Sequence, residues 1–325
     1  MATATKRPGK EITMEVRGVT KRFGENIAVN NVTFDVLKGE VLGFLGPNGS
    51  GKTTTMRLMT SFYTPDSGKI IIDGVDNQVD DVYTRNKIGY LPENNPNWGD
   101  MLASEYLKFV AELRGLSSPE RRDGIDQAVY ETGIEEVYNK PINQCSKGYK
   151  QRIALAGVIL HKPEILIMDE PTEGLDPNQR VPVRDLIRRL GRERTVLLST
   201  HVLQEVEAVC NRILMISKGR IVAQGRLDEL RHQARGDHAV RVEVEGDRVE
   251  ARLKAVKGVS SVRREDPIEG RKRYSLSVAS GTEIRPLIYD LSKRNGWVVW
   301  DLHQDEGRLE DLFYSLTMYT DSLLE

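Results

Sequence analysis

The stretch VLGFLGPNGSGKTTT, residues 41–55, constrains this chain more than any other. Five apolar residues, a strand's length, run directly into G-x-x-x-x-G-K-T from Gly46 to Thr53, and a helical run follows. Glycines at 46, 49 and 51 permit positive φ and leave no Cβ between the backbone N–H groups and a polyphosphate. The helix after them points its positive end at the same anion. Lys52 would reach the β- and γ-phosphates, and the Thr53 hydroxyl would ligate Mg²⁺. The candidate nucleotide-binding residues are therefore Gly46, Pro47, Asn48, Gly49, Ser50, Gly51, Lys52, Thr53 and Thr54. A glycine-rich turn with a surface lysine is the plainer reading of so short a motif, so the rest of the chain has to decide.

A second motif strengthens the first. ILIMDEPTEGLDP places two acids, Asp169 and Glu170, at the carboxyl end of an apolar strand, which is where ligands bind in an open α/β sheet. Asp169 is the expected water-mediated Mg²⁺ partner. Glu170 is placed to polarise a water for in-line attack on the γ-phosphate. One acid capping a strand in solvent is commonplace; two adjacent ones after ILIM, in a chain that also carries the glycine loop, fit that reading poorly.

Around these motifs the pattern is that of an α/β layer architecture. From Ile12 to about Gln224, β-rich runs alternate with helical periodicity, the clearest strands being VLGFL (41–45), KIII (69–72), KIGYL (87–91), EILIM (164–168), TVLLS (195–199) and ILMIS (213–217). Their nearly continuous apolar character predicts a largely parallel sheet covered on both faces. Between Asn94 and Gln144 the strand signal gives way to helical spacing, so a helical insertion is expected over about residues 94–160. Beyond Gly236 the order becomes strand, helix, strand, strand, helix, strand, with a closing helix, matching a small ferredoxin-like α/β sandwich. The expected organisation is a disordered tail at 1–11, a nucleotide-binding domain at 12–235 and an accessory domain at 236–325. That accessory domain carries no nucleophile, metal cluster or glycine fingerprint, and its basic stretches VRRE and GRKRY read most simply as solvated faces.

Composition removes several classes. With 47 basic and 48 acidic residues among 325, no field of one sign recruits nucleic acid or anionic lipid, and no nucleic-acid partner is expected. Cys145 and Cys210 lie far apart without zinc spacing, which fits a reducing cytoplasm. No apolar run approaches the roughly 18–20 residues that cross a bilayer. The first residues, MATATKRPGKEIT, lack the apolar segment of a secretory signal.

Phosphate loop and acid pair leave many nucleotide hydrolases open, and NQCSKGYKQRIALAGVIL narrows them. This stretch resembles the signature segment of ATP-binding cassette (ABC) ATPases, usually Leu-Ser-Gly-Gly-Gln, followed by a helix. Ser146 and Gly148 match; Cys145, Lys147 and Tyr149 depart. The hydroxyl and the glycine are what the chemistry most requires, because they open a helix N-terminus onto a phosphate at close range. EGLDP resembles the family's D-loop, with Asp176 matching and Glu173 standing where a small residue, often serine, is usual. LLSTH ends at His201, resembling the histidine that contacts the γ-phosphate, and VTKRFGENIAV offers Phe23 where the family places a ring that stacks on adenine. The resemblance covers roughly Met14 to Leu230. Among ABC ATPases the chain looks like exporter subunits associated with drugs, polysaccharides and gliding motility, nearest the last.

The resemblance implies a P-loop nucleotide hydrolase of ABC type with a helical insertion, using ATP and Mg²⁺. Two such chains, the second an identical copy, would sandwich two ATP molecules, each between the phosphate loop of one chain and Ser146/Gly148 of the other. Closure would drive a separate integral-membrane permease, docked by a short helix beside the helical insertion, with Trp98 as a groove residue or a half-buried aromatic of that insertion. The chain would then be cytoplasmic and peripheral on the inner face of the cell membrane. A soluble ABC ATPase switching in translation or DNA maintenance is the alternative, but such members usually carry two cassettes, long coiled coils or zinc modules that are missing here. A nucleotide-binding subunit that does not hydrolyse is a third reading, and Glu170 argues against it.

Glu93, at the end of IGYLPE, stands where the family usually has a glutamine that touches Mg²⁺ and the attacking water. Glutamate keeps the hard oxygen that Mg²⁺ prefers and loses the amide donor. Its charge would attract the metal and repel the γ-phosphate.

Overall fold

The computed structural model describes residues 11–94, 98–234, 238–268, 270–278, 282–304, 309–310, 312–313 and 316. Residues 1–10 of the tail expected at 1–11, and most of the closing helix, lie outside them. The chain divides into two compact units, residues 1–227 and 228–323, and the division falls within the first turn of the helix Leu227–Ala234.

Two sheets build the first unit. The larger has six strands, in spatial order Arg220–Arg226, Arg212–Ser217, Val41–Leu45, Thr195–Thr200, Ile165–Asp169 and Ile88–Leu91. Five run parallel, and the first is antiparallel to its neighbour. Val41–Leu45 and Ile165–Asp169 are buried at every position, which is why their sequences carry no polar alternation.

The second sheet departs from expectation. KIII forms part of the strand Ser67–Ile72, and that strand is not in the parallel sheet. It pairs antiparallel with Ile12–Phe23, which pairs in turn with Asn26–Leu37, while the two-residue strand Val75–Asp76 closes the other edge. The sequence hid the long strands because β-bulges interrupt the alternation of Ile12–Phe23, at Val16/Val19 among other places. One core cluster joins the two sheets and the helix Lys52–Met59, with Met14, Phe34, Phe44, Met56 and Ile167 at its heart. Phe34 and Phe44 meet edge to face at 5.2 Å, a packing worth about 0.5–1.5 kcal/mol beyond the area buried.

The helical insertion contains the helices Ala103–Leu113, Ser118–Thr132 and Lys147–Ile159. Ser118–Thr132 is delimited by local chemistry: Glu120 Oε2 accepts from Ser117 N at 2.9 Å, Pro119 sits in the first turn, and Gly133 ends the helix at φ +62°. The second unit has the strand order Val259–Ile268, Arg271–Val278, His238–Glu245, Val298–Gln304, antiparallel throughout. Two helices, Val249–Lys254 and Arg285–Asn295, complete the expected ferredoxin-like order. Val240, Val242, Val244, Leu276 and Ile288 lie in its own core.

Candidate functional site

Register brings the motifs together. Leu45 pairs with Thr200, Asp169 with Ser199, and Leu91 with Met168, so four neighbouring strands end level at one edge of the sheet. The glycine loop, the acid pair, His201 and Glu93 emerge there side by side, at the carboxyl end of the parallel strands.

Gly49 and Gly51 take positive φ, whereas Gly46 does not and is required by space instead. A Cβ on Gly51, whose φ is +103°, would come within 2.4 Å of Ala28 O, and one on Gly46 within 2.4 Å of Ile216 O. Gly51 caps the helix Lys52–Met59. Lys52 is buried, and its Nζ donates to Gly46 O at 2.8 Å and Pro47 O at 3.3 Å while lying 3.3 Å from Glu170 Oε1. The lysine thus fastens both ends of the loop and reaches the acid pair.

Asp169 is fully buried, and its Oδ1 accepts from Ser199 Oγ at 2.5 Å. The same hydroxyl oxygen accepts from Glu170 N at 3.0 Å. Asp169 Oδ2 has no hydrogen-bond partner among the described residues. Glu170 is buried at φ +46°, with Oε2 at 3.1 Å from His201 Nδ1. His201 Nε2 lies 3.8 Å from Glu173 Oε2. Glu170, Glu173 and His201 bring donor atoms within 4.8 Å of one another, but Lys52 already supplies a cation to that cluster. Burial, then the Asp169 carboxylate, push the Tyr90 hydroxyl up to about 12.

A cavity of about 630 Å³ opens over these groups. Of the residues expected from sequence, Phe23, Asn48, Gly49, Gly51, Lys52, Thr53, Thr54, Glu93, Glu170 and His201 line it. Gly46, Pro47 and Ser50 belong to the same loop without lining the cavity, and Asp169 lies behind Glu170. Phe23 is 43% exposed and meets Tyr63 edge to face at 5.2 Å, so much of its ring remains available for stacking.

Ser146, Gly148 and Asp176 do not line the cavity. They form a second group where two helices begin side by side. Ser146 Oγ accepts from Tyr149 N at 3.3 Å, Asp176 Oδ1 accepts from Gln179 N at 2.9 Å, and Gln179 Oε1 accepts from Gly148 N at 3.2 Å. Glu93 also borders a smaller cavity of about 420 Å³, with Trp98, Tyr106, Lys147 and Lys150. Trp98 is 45% exposed, its ring 5.5 Å from Phe109.

Sequence reasoning missed Ser199, whose role follows from lying opposite Asp169 in the register, and it gave Glu173 and Lys218 no part in the cavity they line. Glu173 was visible as a departure from the expected small residue; Lys218 carried no signal.

Fold and site define a P-loop nucleotide hydrolase. Residues 29–173 match the family described as ABC transporter. The chain is 39% identical over 220 residues, 68% of its length and 73% of the relative's, to an uncharacterized ABC transporter ATP-binding protein, YxlF, of Bacillus subtilis. It is 30% identical to the linearmycin resistance ATP-binding protein LnrL of the same organism, over 94% of this chain and 98% of the relative. The dimeric structure of the ABC transporter cassette MJ0796 superposes with a TM-score of 0.59 at 27% identity, covering 66% of this chain and 98% of that one. The chain belongs to the ATP-binding subunits of ABC transporters, ATPases whose hydrolysis is coupled to transport. A role as a soluble switch in translation or DNA maintenance is not favoured by these relatives.

Proposed function

We propose that this chain powers a membrane exporter by hydrolysing ATP in a site that two copies complete together. The observation that carries this reading is the separation of Ser146, Gly148 and Asp176 from the cavity that the other motif residues line. Those three residues, on adjoining helix starts, are placed to be offered to another molecule's cavity. A dimeric relative and a resistance-associated relative support the reading.

In the proposed reaction Phe23 stacks on adenine, and the N–H groups of the cavity-lining loop residues Asn48, Gly49, Gly51, Lys52, Thr53 and Thr54 hold the phosphates. Lys52 neutralises charge as it develops on the transferred group. Glu170 accepts the proton of the attacking water through a carboxylate that His201 orients, and His201 contacts the γ-phosphate. The donor set fits Mg²⁺: Thr53 and Glu93 offer hard oxygens at the cavity, and Asp169 Oδ2 is a buried oxygen with no other partner among the described residues. When bound, that ion would neutralise phosphate charge. We expect Glu170→Gln to lower kcat by at least about 10²-fold while ATP binding persists. A retained full rate in that variant would remove the catalytic role of Glu170.

Among the described residues no helix is long and apolar enough to cross a membrane, so the reading places the membrane path on a separate permease. Its docking helix would enter the smaller cavity beside Trp98 and Tyr106. Since Glu93 borders both cavities, docking there would be felt at the phosphate end. The organisation proposed is an ATPase domain at 12–235, with the helical insertion at about 94–160, and an accessory module at 236–325 that stabilises or regulates the dimer.

A further inference from the structure

Glu205 is a buried carboxylate, 7% exposed, that none of the proposed hydrolytic roles uses. Burying such a charge is unfavourable unless it is paired. Its Oε2 accepts from Thr200 Oγ1 at 2.8 Å, and the same threonine oxygen accepts from Val202 N at 3.0 Å. His201 is the residue between them, so one oxygen ties the backbone on both sides of the histidine. Glu205 Oε1 also faces Arg180 Nη1 at 3.9 Å, and Arg180 Nε donates to Leu175 O at 2.9 Å. A first-turn acid would complement the dipole of the helix Leu203–Val209, but that effect needs neither Thr200 nor Arg180.

We propose that Glu205 is a positioning residue for ATP hydrolysis: through Thr200 it fixes the backbone carrying His201, and through Arg180 it links that backbone to the Leu175–Asp176 turn. The proposal rests on the reading of His201 as a group that acts in hydrolysis. Glu205 touches no reacting atom. It acts by holding His201 Nδ1 at 3.1 Å from Glu170 Oε2. The chain from Glu170 to Asp176 is itself turned tightly, with Glu173 N bonded to Glu170 O at 3.0 Å and Leu175 N to Thr172 O at 3.2 Å. A closed ring results, running from Glu170 through Asp176, Arg180, Glu205 and Thr200 to His201 and back to Glu170. Displacement of Asp176 would therefore be passed toward His201 through the Arg180–Glu205 ion pair at 3.9 Å.

The test is a double-mutant cycle in the full-length chain, reading kcat, the KM for ATP, ATP binding and thermal melting. Glu205→Ala should lower kcat about tenfold with KM changed less than about twofold, and Glu205→Gln, which keeps an acceptor for Thr200, should recover most of the loss. Thr200→Val, close in size but without the hydroxyl, should reproduce the loss, and it serves as the readout if Glu205→Ala melts below the assay temperature. On a His201→Ala background, Glu205→Ala should cost nothing further. A further loss there comparable to its loss alone, or a wild-type kcat in folded Glu205→Ala and Thr200→Val, overturns the proposal. His201→Ala by itself reads the underlying assignment: a wild-type kcat in that variant overturns the role of His201 and the proposal with it. A loss in His201→Ala beside wild-type rates in the Glu205 and Thr200 variants overturns the role of Glu205 alone.

Discussion

Glu170 carries more of this site than its neighbours do. A non-glycine residue at φ +46° sits in a region that costs of the order of 1–3 kcal/mol, and three contacts hold it there: Ser199 on its backbone, Lys52 and His201 on its two oxygens. Ser199→Ala would leave the Glu170 N–H and Asp169 Oδ1 without their present partner, so we expect a loss of about 1–3 kcal/mol in urea unfolding together with a lower kcat. Unchanged stability would mean that water replaces the hydroxyl. Glu93 offers a contrasting test because it lines the cavity from an exposed loop. Glu93→Gln should keep ATPase activity and raise the Mg²⁺ concentration needed to support it, since the variant loses a negative oxygen for the ion. An unchanged Mg²⁺ dependence would show that the carboxylate serves only as a shape. Lys52, Asp169, Glu170 and His201 were legible as candidates because each belongs to a short motif at a strand end. Ser199 was not, because its part depends on which strand lies beside Asp169.

Among the elements, the edge strand Ile88–Leu91 and the turn after the helix Lys147–Ile159 meet at His161. Its Nε2 lies 3.3 Å from Ile88 O, and its Nδ1 is buried with no partner among the described residues. Burial, with the Arg114 charge nearby, pushes the imidazole down to about 4. The unfolded chain, with a value near 6.5, then binds more protons than the folded one in acid. Stability is complete above about pH 6.5 and declines as the pH falls toward 4, by about 2 kcal/mol at pH 5. His161→Gln should shrink the difference in urea midpoint between pH 7.5 and pH 5, and an undiminished difference would assign the acid sensitivity to other groups. The buried strands of the parallel sheet were legible as apolar runs. The antiparallel sheet was not, because bulges in Ile12–Phe23 spoil its alternation and KIII reads the same in either sheet.

At the scale of the whole molecule, the composite-site reading makes assembly depend on nucleotide. The Glu170→Gln chain should form a dimer with ATP and remain monomeric with ADP by light scattering, because only the γ-phosphate lets Ser146 and Gly148 of one copy close on the loop of the other. A dimer of equal strength with ADP would sink that account. Removing residues 236–325 should weaken the ATP-dependent dimer or alter the ATPase rate; if both are unchanged, the module has no part in either. The sequence by itself determined the chemistry: a phosphate loop, an acid pair, a histidine and a signature segment, each legible because a few neighbouring residues suffice to make it. It also determined the order of the buried parallel strands in the first unit and of the elements in the second, since periodicity is local. Only the tertiary structure decided which of these pieces share a cavity. Strand register set Asp169 against Ser199 and levelled Leu45 with Thr200, and the packing of the helical insertion kept Ser146 and Gly148 off that cavity. Such pairings join residues tens to more than a hundred positions apart, and no pattern along the chain records them.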